Sequence, residues 1–561
     1  MTAANHDKVG SHHVESLDKV DSVSSEPTKD RANLAEDALL ATEDEHNTTF
    51  LQALKRYPKA CAWSGVVSLC IIMDGYDTAL MGSLFAFPAF QQRYGHESSP
   101  GKYQLDPRWQ MALGMITGVG NIFGIWLNAT LTERFGHKKI LIAAMIALTG
   151  LISIQFTAPS VEQLFVGQIL CGVPWGMFTT LAPAFSSEVA PLVLRSYLET
   201  WIVCCWGIGQ FFSFAVIFSL NTRMDQWAYR IPFAVQWVWP VLILPIVIFC
   251  PESPWWLVRK GREEQALKSI MRLSSAQNKE IAQEKAKKAL ALMIETNNLE
   301  KDIDKGTSYW SCFTGTDRRR TEIAAASWGI QVTSGFVIQG YATYWFQQAG
   351  LSPNDSFKMT LGIGGIHLVC NLASAALSGN YGRRKLFLWG LAVLAALMFL
   401  IGFLALARQT AGFGYALSAI YLLWFGIWCL TIGPLPYVIN GEVSSTRLRS
   451  KTIAIARGTY LILGVINSTV SPYILNPDAG DWKGRTGLLT GGLTVLSLAW
   501  AWFRLPETGG RTFEELDILF TEKNLSARNF SKAVIHREGT TVRVSGPHVR
   551  EGEYHIRATT A

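Results

Sequence analysis

The sequence predicts an all-α polytopic membrane protein with twelve transmembrane helices in two six-helix repeats. Three observations lead to this prediction. Among the 561 residues, 49% are apolar and only 17% are charged, whereas soluble domains usually carry about 25% charged residues. Twelve apolar stretches reach the length of about 20 residues that a helix needs to cross a bilayer. A charged stretch over residues 251–322 separates the first six from the last six.

The predicted spans follow one another through short loops within each group of six. In the first group they lie near residues 61–82, 109–131, 139–157, 161–185, 197–220 and 231–250. In the second group they lie near residues 323–346, 357–378, 385–407, 412–438, 452–474 and 486–505.

This pattern divides the chain into five parts. We expect a disordered cytoplasmic N-terminal tail, a six-helix bundle, a cytoplasmic linker with short helices, a second six-helix bundle and a cytoplasmic C-terminal tail. The first 50 residues and about the last forty are polar and are predicted to lack fixed structure. The five parts cover 1–55, 56–250, 251–322, 323–505 and 506–561.

The loop lysines and arginines predict the orientation of the chain. With the N-terminus inside, the inner loops and loop ends carry 16 of these residues and the outer loops carry nine. The positive-inside rule then places both termini in the cytoplasm. The first 50 residues contain no apolar core segment, so no signal peptide is expected and the first span would direct insertion. We expect a multi-pass protein of the plasma membrane.

Several function classes are excluded by what the sequence lacks. The nine cysteines include no CxxC pair, and no His spacing typical of zinc accompanies them, so no metal site is predicted. No GxxxxGK[ST] phosphate loop occurs, which argues against an ATP-driven pump. The basic residues fall in short clusters between apolar runs and do not indicate nucleic-acid binding. We expect neither an enzyme nor a resident cofactor.

The two halves carry the same short motifs at nearly one spacing. Glu188 and Arg195 are seven residues apart, and so are Glu442 and Arg449, with an offset of 254 between the pairs. PES over 251–253 returns as PET over 506–508, an offset of 255. Internal repeats of this kind are typical of transporters, whose substrate site lies between the repeats near the bilayer midplane.

These motifs resemble a known family. TERFGHKK, SSEVAPLVLR, PESPWWL, GPLPYVINGEVSSTRLR and PETGGRTFEE are similar to signatures of the sugar porter family of the major facilitator superfamily, and the resemblance covers about residues 55–520. MDGYDTALMGS, CGVPWG, GYATYWFQQAG and ARGTYLILGVINSTVSPYILN are most similar to the fungal maltose and α-glucoside permease branch. The resemblance implies a monomeric proton symporter for sugars.

The repeated motifs place acidic and basic residues at the inner ends of the spans. Glu188 with Arg195, and Glu442 with Arg447 or Arg449, would join helices while the inner side is closed and separate when it opens. The alternative is that the basic residues only set topology. The predicted cytoplasmic gate comprises Glu133, Arg134, Glu188, Arg195, Arg383, Arg384, Glu442, Arg447 and Arg449.

Two acids, Asp74 and Asp77, lie deep in the first apolar segment. A carboxylate there is costly unless it is paired or wet, so it is a functional-site hypothesis by default. Gly75 between them is expected to loosen the helix. In the resembled family the acid of the GYD motif couples protons to transport, and that position is Asp77; Asp74 matches an acid of the α-glucoside branch. The alternative for each is an aspartate that lines a wet vestibule without titrating.

Two positions depart from the resembled pattern. The fourth-helix arginine that pairs with the GYD acid in many sugar porters is Gln168 here, and the α-glucoside branch also lacks that arginine. Arg457, inside the eleventh span, is therefore the predicted counter-charge of Asp77, the alternative being an arginine that reaches the inner interface. Asn121 stands where the resembled permeases often have an acid, which weakens the case for proton coupling or moves it onto the first-span aspartates.

Polar and aromatic side chains of the central helices are the candidates for sugar contact, because sugars offer hydroxyl rows and an apolar ring face. The resembled hexose-binding helix is only partly matched, since Val332 and Val337 replace an amide each. Helix–helix hydrogen bonding is the alternative for every candidate. His367 is a weaker candidate for proton shuttling than for a structural role. The predicted substrate-binding residues are Gln168, Gln331, Gln339, Tyr341, Tyr344, Tyr437 and Asn467.

The sequence thus predicts a secondary active transporter that imports a maltose-like α-glucoside with a proton by alternating access. An uncoupled facilitator, or an exporter of a sugar-like metabolite, polyol or sugar acid, remains an alternative because of the two valines. A sugar sensor ranks lower. Asn354 begins a glycosylation sequon in a loop predicted to lie outside.

Overall fold

The structure is a computed structural model, and it shows an almost wholly helical chain. The described residues are 50–100, 102–190, 192–274, 279–304, 308–406, 411–445, 448–509, 511, 515–516, 519–520, 526–530, 534–538, 541–545 and 553–555. The predicted N-terminal tail therefore lies mostly outside them.

Twelve spans are present in the described chain, as predicted. Ten stretches of the described residues are by themselves long and apolar enough to cross a membrane, and the helices Asp317–Thr333 with Ala342–Gln348 and Pro353–Asn380 occupy the seventh and eighth positions. The first six spans are Pro58–Ser68 with Cys70–Leu84, Pro107–Phe135, His137–Phe156, Val161–Val189, Leu192–Leu220, and Gln226–Val235 with Val238–Val247. The last six are Asp317–Thr333 with Ala342–Gln348, Pro353–Asn380, Arg383–Leu404, Ala411–Leu430 with Leu435–Val443, Arg449–Leu475, and Thr486–Arg504.

The seventh span is interrupted between its two helices. Val337 in the gap has φ 72°, a left-handed conformation that is rare for a β-branched residue, and its side chain is fully buried. Its N–H donates to Asn467 Oδ1 at 2.7 Å, and the Thr490 hydroxyl donates to the Phe336 carbonyl at 2.7 Å. These side chains satisfy backbone groups that the interrupted helix leaves open.

The tenth span is interrupted next to Gly433 and Pro434, where the sequence predicts a bend. Gln331 of the seventh span donates to the Gly433 carbonyl at 2.5 Å. The interruptions of the seventh and tenth spans are therefore tied to each other. Interrupted helices at this depth are typical of transporter binding sites, because irregular backbone is tolerated where it lines a cavity.

Glycines bring neighbouring spans into backbone contact. A Cβ on Gly124 would lie 2.1 Å from the Val173 carbonyl oxygen, and one on Gly172 would lie 2.8 Å from that of Thr117. The second and fourth spans each carry a GxxxG spacing, which allows this approach. Gly75 has the same role toward the fifth span, since its Cβ would lie 2.2 Å from the Trp206 carbonyl oxygen. The prediction that Gly75 loosens the first span was wrong: the helix continues through it.

The two halves meet where the second span packs against the eleventh and the fifth span packs against the eighth. Their ends on one side carry a two-stranded hairpin, His96–Ser99 with Lys102–Gln104, and we call this the hairpin end. Bonds between the halves close it: Tyr344 donates to Gln104 at 3.1 Å, and Gln347 donates to the Ala86 carbonyl at 2.8 Å. The opposite end carries the repeated motifs, and we call it the motif end.

Further helices follow the sixth span at the motif end, in the stretch that the sequence assigns to the linker. Trp256, Leu257 and Val258 of the first of them form a small core with the last. The helical elements outside the twelve spans are Phe50–Arg56, Pro88–Tyr94, Pro254–Arg259, Glu263–Leu273, Lys279–Asp304, Tyr309–Phe313 and Lys483–Arg485 among the described residues.

The C-terminal tail contains a three-stranded antiparallel sheet of Val534–Glu538, Thr541–Ser545 and Glu553–His555. The expectation of a structureless tail was therefore wrong for these residues. Valines in the first two strands favour extended backbone, and this local preference is a signal that overall polarity conceals.

Candidate functional site

Asp77 lies in the interior of the first half and is 1% exposed. Gln236, in the interruption of the sixth span, donates from Nε2 to Asp77 Oδ1 at 3.0 Å. Tyr76 beside it donates to the Pro232 carbonyl at 2.8 Å, which fixes the first span against the sixth. An amide is thus the hydrogen-bond donor to this carboxyl group.

Gln168 of the fourth span lies close enough to Asp77 for the two side chains to interact. The Thr117 hydroxyl of the second span donates to Gln168 Oε1 at 2.9 Å. Within the described chain, Asp77 Oδ2, Gln168 Nε2 and Gln236 Oε1 are buried without a hydrogen-bond partner. Around the Asp77 carboxyl group, one buried donor and two buried acceptors are therefore available for further hydrogen bonds.

Asp74 lies one turn closer to the motif end and has a different environment. Trp206 of the fifth span donates from Nε1 to its Oδ2 at 3.2 Å, and Asn121 also interacts with it. The Trp206 ring meets the edge of the His367 ring, with centroids 5.5 Å apart. His367 Nδ1 lies 2.9 Å from Gln210 Oε1, so this histidine is hydrogen-bonded, in agreement with its predicted structural role.

Arg457 acts on Asp74, which is a residue of the opposite half. Its guanidinium lies over the rings of Trp328 and Tyr460, 4.6 and 4.8 Å from their centroids. The pairing of Arg457 with Asp77 remains a prediction: the amide of Gln236 contacts Asp77, and the arginine charge acts on Asp74. The sequence alone could not decide between two acids three residues apart, because the tilt of the eleventh span sets the distance.

Tyr437 of the tenth span is the most open of the predicted sugar contacts, with 48% of its surface exposed. Its ring meets that of Trp328 at 4.5 Å between centroids. Gln339 lies in the interruption of the seventh span and is partly exposed. Together these residues offer an aromatic face and an amide on the second half.

The other predicted sugar contacts are occupied by bonds within the protein. Tyr344 and Tyr341 are buried at the hairpin end, where Tyr341 donates to the Ser468 carbonyl at 3.3 Å and stacks on Phe85 of the other half. Gln331 and Asn467 hold the interrupted seventh and tenth spans, as described above. Hydrogen bonding inside the bundle, the alternative for each residue, accounts for these four in this conformation.

At the motif end, Glu188 and Glu442 each centre an ionic cluster. Glu188 is bonded by Ser253 and Arg259, and His137 Nδ1 lies 3.7 Å from its Oε2. In the second half Arg383 Nη2 donates to Glu442 Oε1 at 2.8 Å, and Thr508 donates to its Oε2 at 2.6 Å. The described bonds of Glu442 stay within the second half, and those of Glu188 join the first half to the linker.

This arrangement adds partners that the predicted gate pairs did not include. Arg259, which lies in the linker, is a described partner of Glu188, and Arg383 is one of Glu442, because helix ends that are far apart in sequence converge here. The Arg195 side chain and Arg447 lie outside the described residues, so pairing through them remains a prediction. Arg449 begins the eleventh span.

The other predicted gate residues hold elements of one half together. The Glu133 carbonyl accepts from Trp256 at 2.9 Å, and the Arg134 guanidinium lies over the Phe135 ring. Arg384 donates to the carbonyls of Leu505 at 2.7 Å and of Trp502 at 2.8 Å. A gating role for these residues remains a prediction.

The acid of each PES or PET motif caps a helix. Glu252 Oε1 accepts the backbone N–H of His137 at 3.0 Å, at the start of the third span. Glu507 Oε2 accepts that of Arg384 at 3.2 Å, at the start of the ninth span. A carboxylate at a helix N-terminus satisfies open N–H groups and the helix dipole.

Sequence reasoning missed several members of the site. Gln236 and Thr117 contact the Asp77 group, and Trp206 contacts Asp74. A glutamine within the apolar sixth span was the available signal for Gln236. Thr117 and Trp206 had none, because threonine and tryptophan are ordinary residues of spanning helices. No cluster of three or more potential metal ligands occurs among the residues the structure describes.

Asn354 is exposed in the first turn of the eighth span, where its Oδ1 accepts from Asn221 at 3.0 Å. This bond joins the halves at the hairpin end. Glycosylation of Asn354 remains a prediction.

Comparisons with known proteins agree with this architecture. A family model described as "Sugar (and other) transporter" matches residues 63–520. The general alpha-glucoside permease of Saccharomyces cerevisiae is 37% identical over 507 residues, which are 90% of this chain and 82% of the permease. A maltose permease of the same yeast is 36% identical over 511 residues, with 89% and 82% coverage.

Among solved structures, an E. coli MFS (major facilitator superfamily) proton:xylose symporter superposes with a TM-score of 0.64 at 20% identity. The match covers 83% of this chain and all of that one. At this identity the likeness establishes the fold.

Proposed function

Because this chain belongs to the sugar transporter family, we propose that it imports an α-glucoside such as maltose together with a proton, by alternating access. The family membership rests on the match over residues 63–520. The extensive similarity to α-glucoside and maltose permeases supports the substrate class. The exposed Tyr437 ring beside Trp328 suits the apolar face of a sugar ring.

Asp77 carries the proton part of the proposal. A buried carboxylate without a fixed counter-charge is costly in its ionised form and is neutralised by a proton. Its described partner is the neutral amide of Gln236, with neutral Gln168 beside it. A group in this setting has reason to bind a proton when the site is closed and to release it when water enters.

We further propose that the motif end faces the cytoplasm, in the plasma membrane, with the chain acting as a monomer. The excess of inner lysines and arginines supports this orientation. The bonds across the hairpin end then close the path from outside. Opening to the outside requires them to break, for example the bond from Tyr344 to Gln104.

Uptake of labelled maltose by yeast that lacks its own α-glucoside permeases tests this function. Addition of maltose to cells that express the protein should alkalinise the medium as protons enter. Asp77→Asn should lower concentrative uptake at least tenfold. Asp225→Asn is the matched control, because this exposed acid pairs with Arg223 within its own loop and should leave uptake within twofold.

Uptake that survives both an uncoupler and Asp77→Asn would rule out symport and favour the facilitator. Efflux of a different sugar-like compound, with no maltose uptake, would favour the exporter. The facilitator and the exporter are tested because Val332 and Val337 replace two amides of the resembled family, and Val337 is buried with a left-handed backbone.

A further inference from the structure

We propose that Thr117, Gln168 and Gln236 form a reversible hydrogen-bond chain that can hold the Asp77 carboxyl group both with and without its proton. The two glutamines are positioning residues in this scheme, and Thr117 orients one of them. The inference rests on the proposed function, because it concerns the proton that would travel with the sugar.

The bonds in the structure suit the ionised form. An ionised carboxylate only accepts hydrogen bonds. Gln236 Nε2 donates to Asp77 Oδ1 at 3.0 Å. The Thr117 hydroxyl donates to Gln168 Oε1 at 2.9 Å, which leaves Gln168 Nε2 without a partner and free to turn toward Asp77 Oδ2. Each carboxyl oxygen therefore has an amide donor available.

The protonated form needs an acceptor at the same place. Half a turn of the Gln168 amide about its last single bond exchanges its oxygen and nitrogen. Gln168 Oε1 then accepts from the protonated Asp77 Oδ2, and Gln168 Nε2 donates to the Thr117 hydroxyl. A threonine hydroxyl serves as donor in the first arrangement and acceptor in the second. The proton stays on Asp77, and only hydrogen bonds are exchanged.

An arginine at position 168 could not do this. Its guanidinium only donates and stays charged, so it stabilises the ionised carboxylate alone. An amide provides one donor and one acceptor at nearly the same position. A glutamine there removes the ionic barrier to protonation without leaving the carboxyl group unpartnered in either state.

Close helix packing fixes the chain in place. A Cβ on Gly172 would lie 2.8 Å from the Thr117 carbonyl oxygen, so the second and fourth spans touch beside the proposed chain. The titratable groups near Asp77 are Asp74 and Tyr76 on its own span and Cys171 on the fourth. Arg457 acts on Asp74 from the opposite half.

The test compares Thr117→Val, which removes the hydroxyl with little change of shape, with Thr117→Ser, which keeps it. Purified protein in liposomes is assayed for maltose uptake driven by a proton gradient and for counterflow of labelled maltose without one. During counterflow the proton can stay bound to Asp77, so the hydrogen-bond chain does not have to exchange its donors and acceptors. In Thr117→Val, driven uptake should fall about tenfold, the order expected for one lost buried hydrogen bond, with counterflow within twofold.

Thr117→Ser should stay within twofold of the parent protein in both assays. Equal loss of both transport modes in Thr117→Val would mean a merely structural threonine and overturn the inference. Unchanged driven uptake in that variant would overturn it as well.

A second measurement needs no sugar. The infrared carbonyl band of protonated Asp77, identified by its loss in Asp77→Asn, should move to higher wavenumber in Gln168→Leu, because the proton loses its acceptor. Gln155→Leu removes another buried amide of the first half and should leave the band in place. An unmoved band in Gln168→Leu overturns the chain even if the parent protein proves to be a symporter. A moved band with no proton-coupled uptake overturns the proposed function instead.

Discussion

The two halves build similar clusters around a glutamate at the motif end, but different basic residues stand at the equivalent position beside it. Arg383 makes two hydrogen bonds to Glu442 in the second half, at 2.8 and 3.1 Å. The equivalent position in the first half, 246 residues earlier, is His137, which approaches Glu188 only to 3.7 Å. Arg259 from the linker bonds Glu188 as well. The repeat therefore retains the carboxylate and varies its basic partner.

The residues that precede His137 and Arg383 show a second difference between the halves. A Cβ on Gly136 or on Gly382 would lie 2.4 Å from the carboxylate oxygen of the capping acid, Glu252 or Glu507. Gly136 has φ 96°, whereas Gly382 has φ −59°, which any residue adopts. The chain thus enters the third span by a turn that favours glycine and the ninth by an ordinary one. Space requires glycine in both halves, and backbone conformation requires it in the first alone.

The largest expected effect is the loss of stability in Gly136→Ala, a substitution in the first half. Gly136→Ala should cost about 3 kcal/mol of stability, from about 1–2 kcal/mol for the left-handed backbone and about 1 kcal/mol for disturbed capping bonds. Gly382→Ala meets only the second cost, about 1 kcal/mol. Melting of the purified protein in detergent should show the larger loss for Gly136→Ala. Equal losses would mean that backbone conformation contributes nothing to the difference.

Removal of the Arg383 or the His137 side chain should cost less stability than Gly136→Ala, and the two losses should differ in size. Arg383→Ala leaves Glu442 without its bidentate donor in a partly buried site and should cost about 2 kcal/mol. His137→Ala should cost less than about 1 kcal/mol, because Arg259 still neutralises Glu188. The same melting measurement compares the two variants. A larger loss for His137→Ala would show that Arg259 does not compensate.

The smallest effect should come from making the second half resemble the first. Arg383→His supplies a charge only when the imidazole is protonated, which requires acidic pH. Its bond to Glu442 should therefore stabilise the protein near pH 5.5 and be lost as the pH rises to about 8, at a cost of about 1 kcal/mol. Melting of variant and parent protein at both pH values checks this. An identical pH dependence would place the histidine away from Glu442.

The architecture was readable from the sequence, and the pairings were not. Apolar length and repeated motifs predicted twelve spans, and the glycine–proline pair predicted the interruption of the tenth, because these features are local. Partners of Glu188 or Asp74 are set by where distant helices converge, which no local pattern encodes. Tyr341 and Tyr344 were expected at the sugar and lie in the hairpin-end contacts, because the tilt and closure of distant helices decide which side chains face a cavity.

The close approach of helices in the first half has a consequence for how the two acids contribute to transport. Asp77 and its amide partners lie on the first, second, fourth and sixth spans, which belong to one half and are tied by glycine contacts and short bonds. Asp74 interacts with Arg457 of the other half. A rocking motion between the halves would keep the protein partners of Asp77 together and change the distance between Asp74 and Arg457, so the entry of water is what would alter the setting of Asp77. Two carboxylates three residues apart would therefore respond to different events: Asp77 to the entry of water, and Asp74 to the movement of one half against the other.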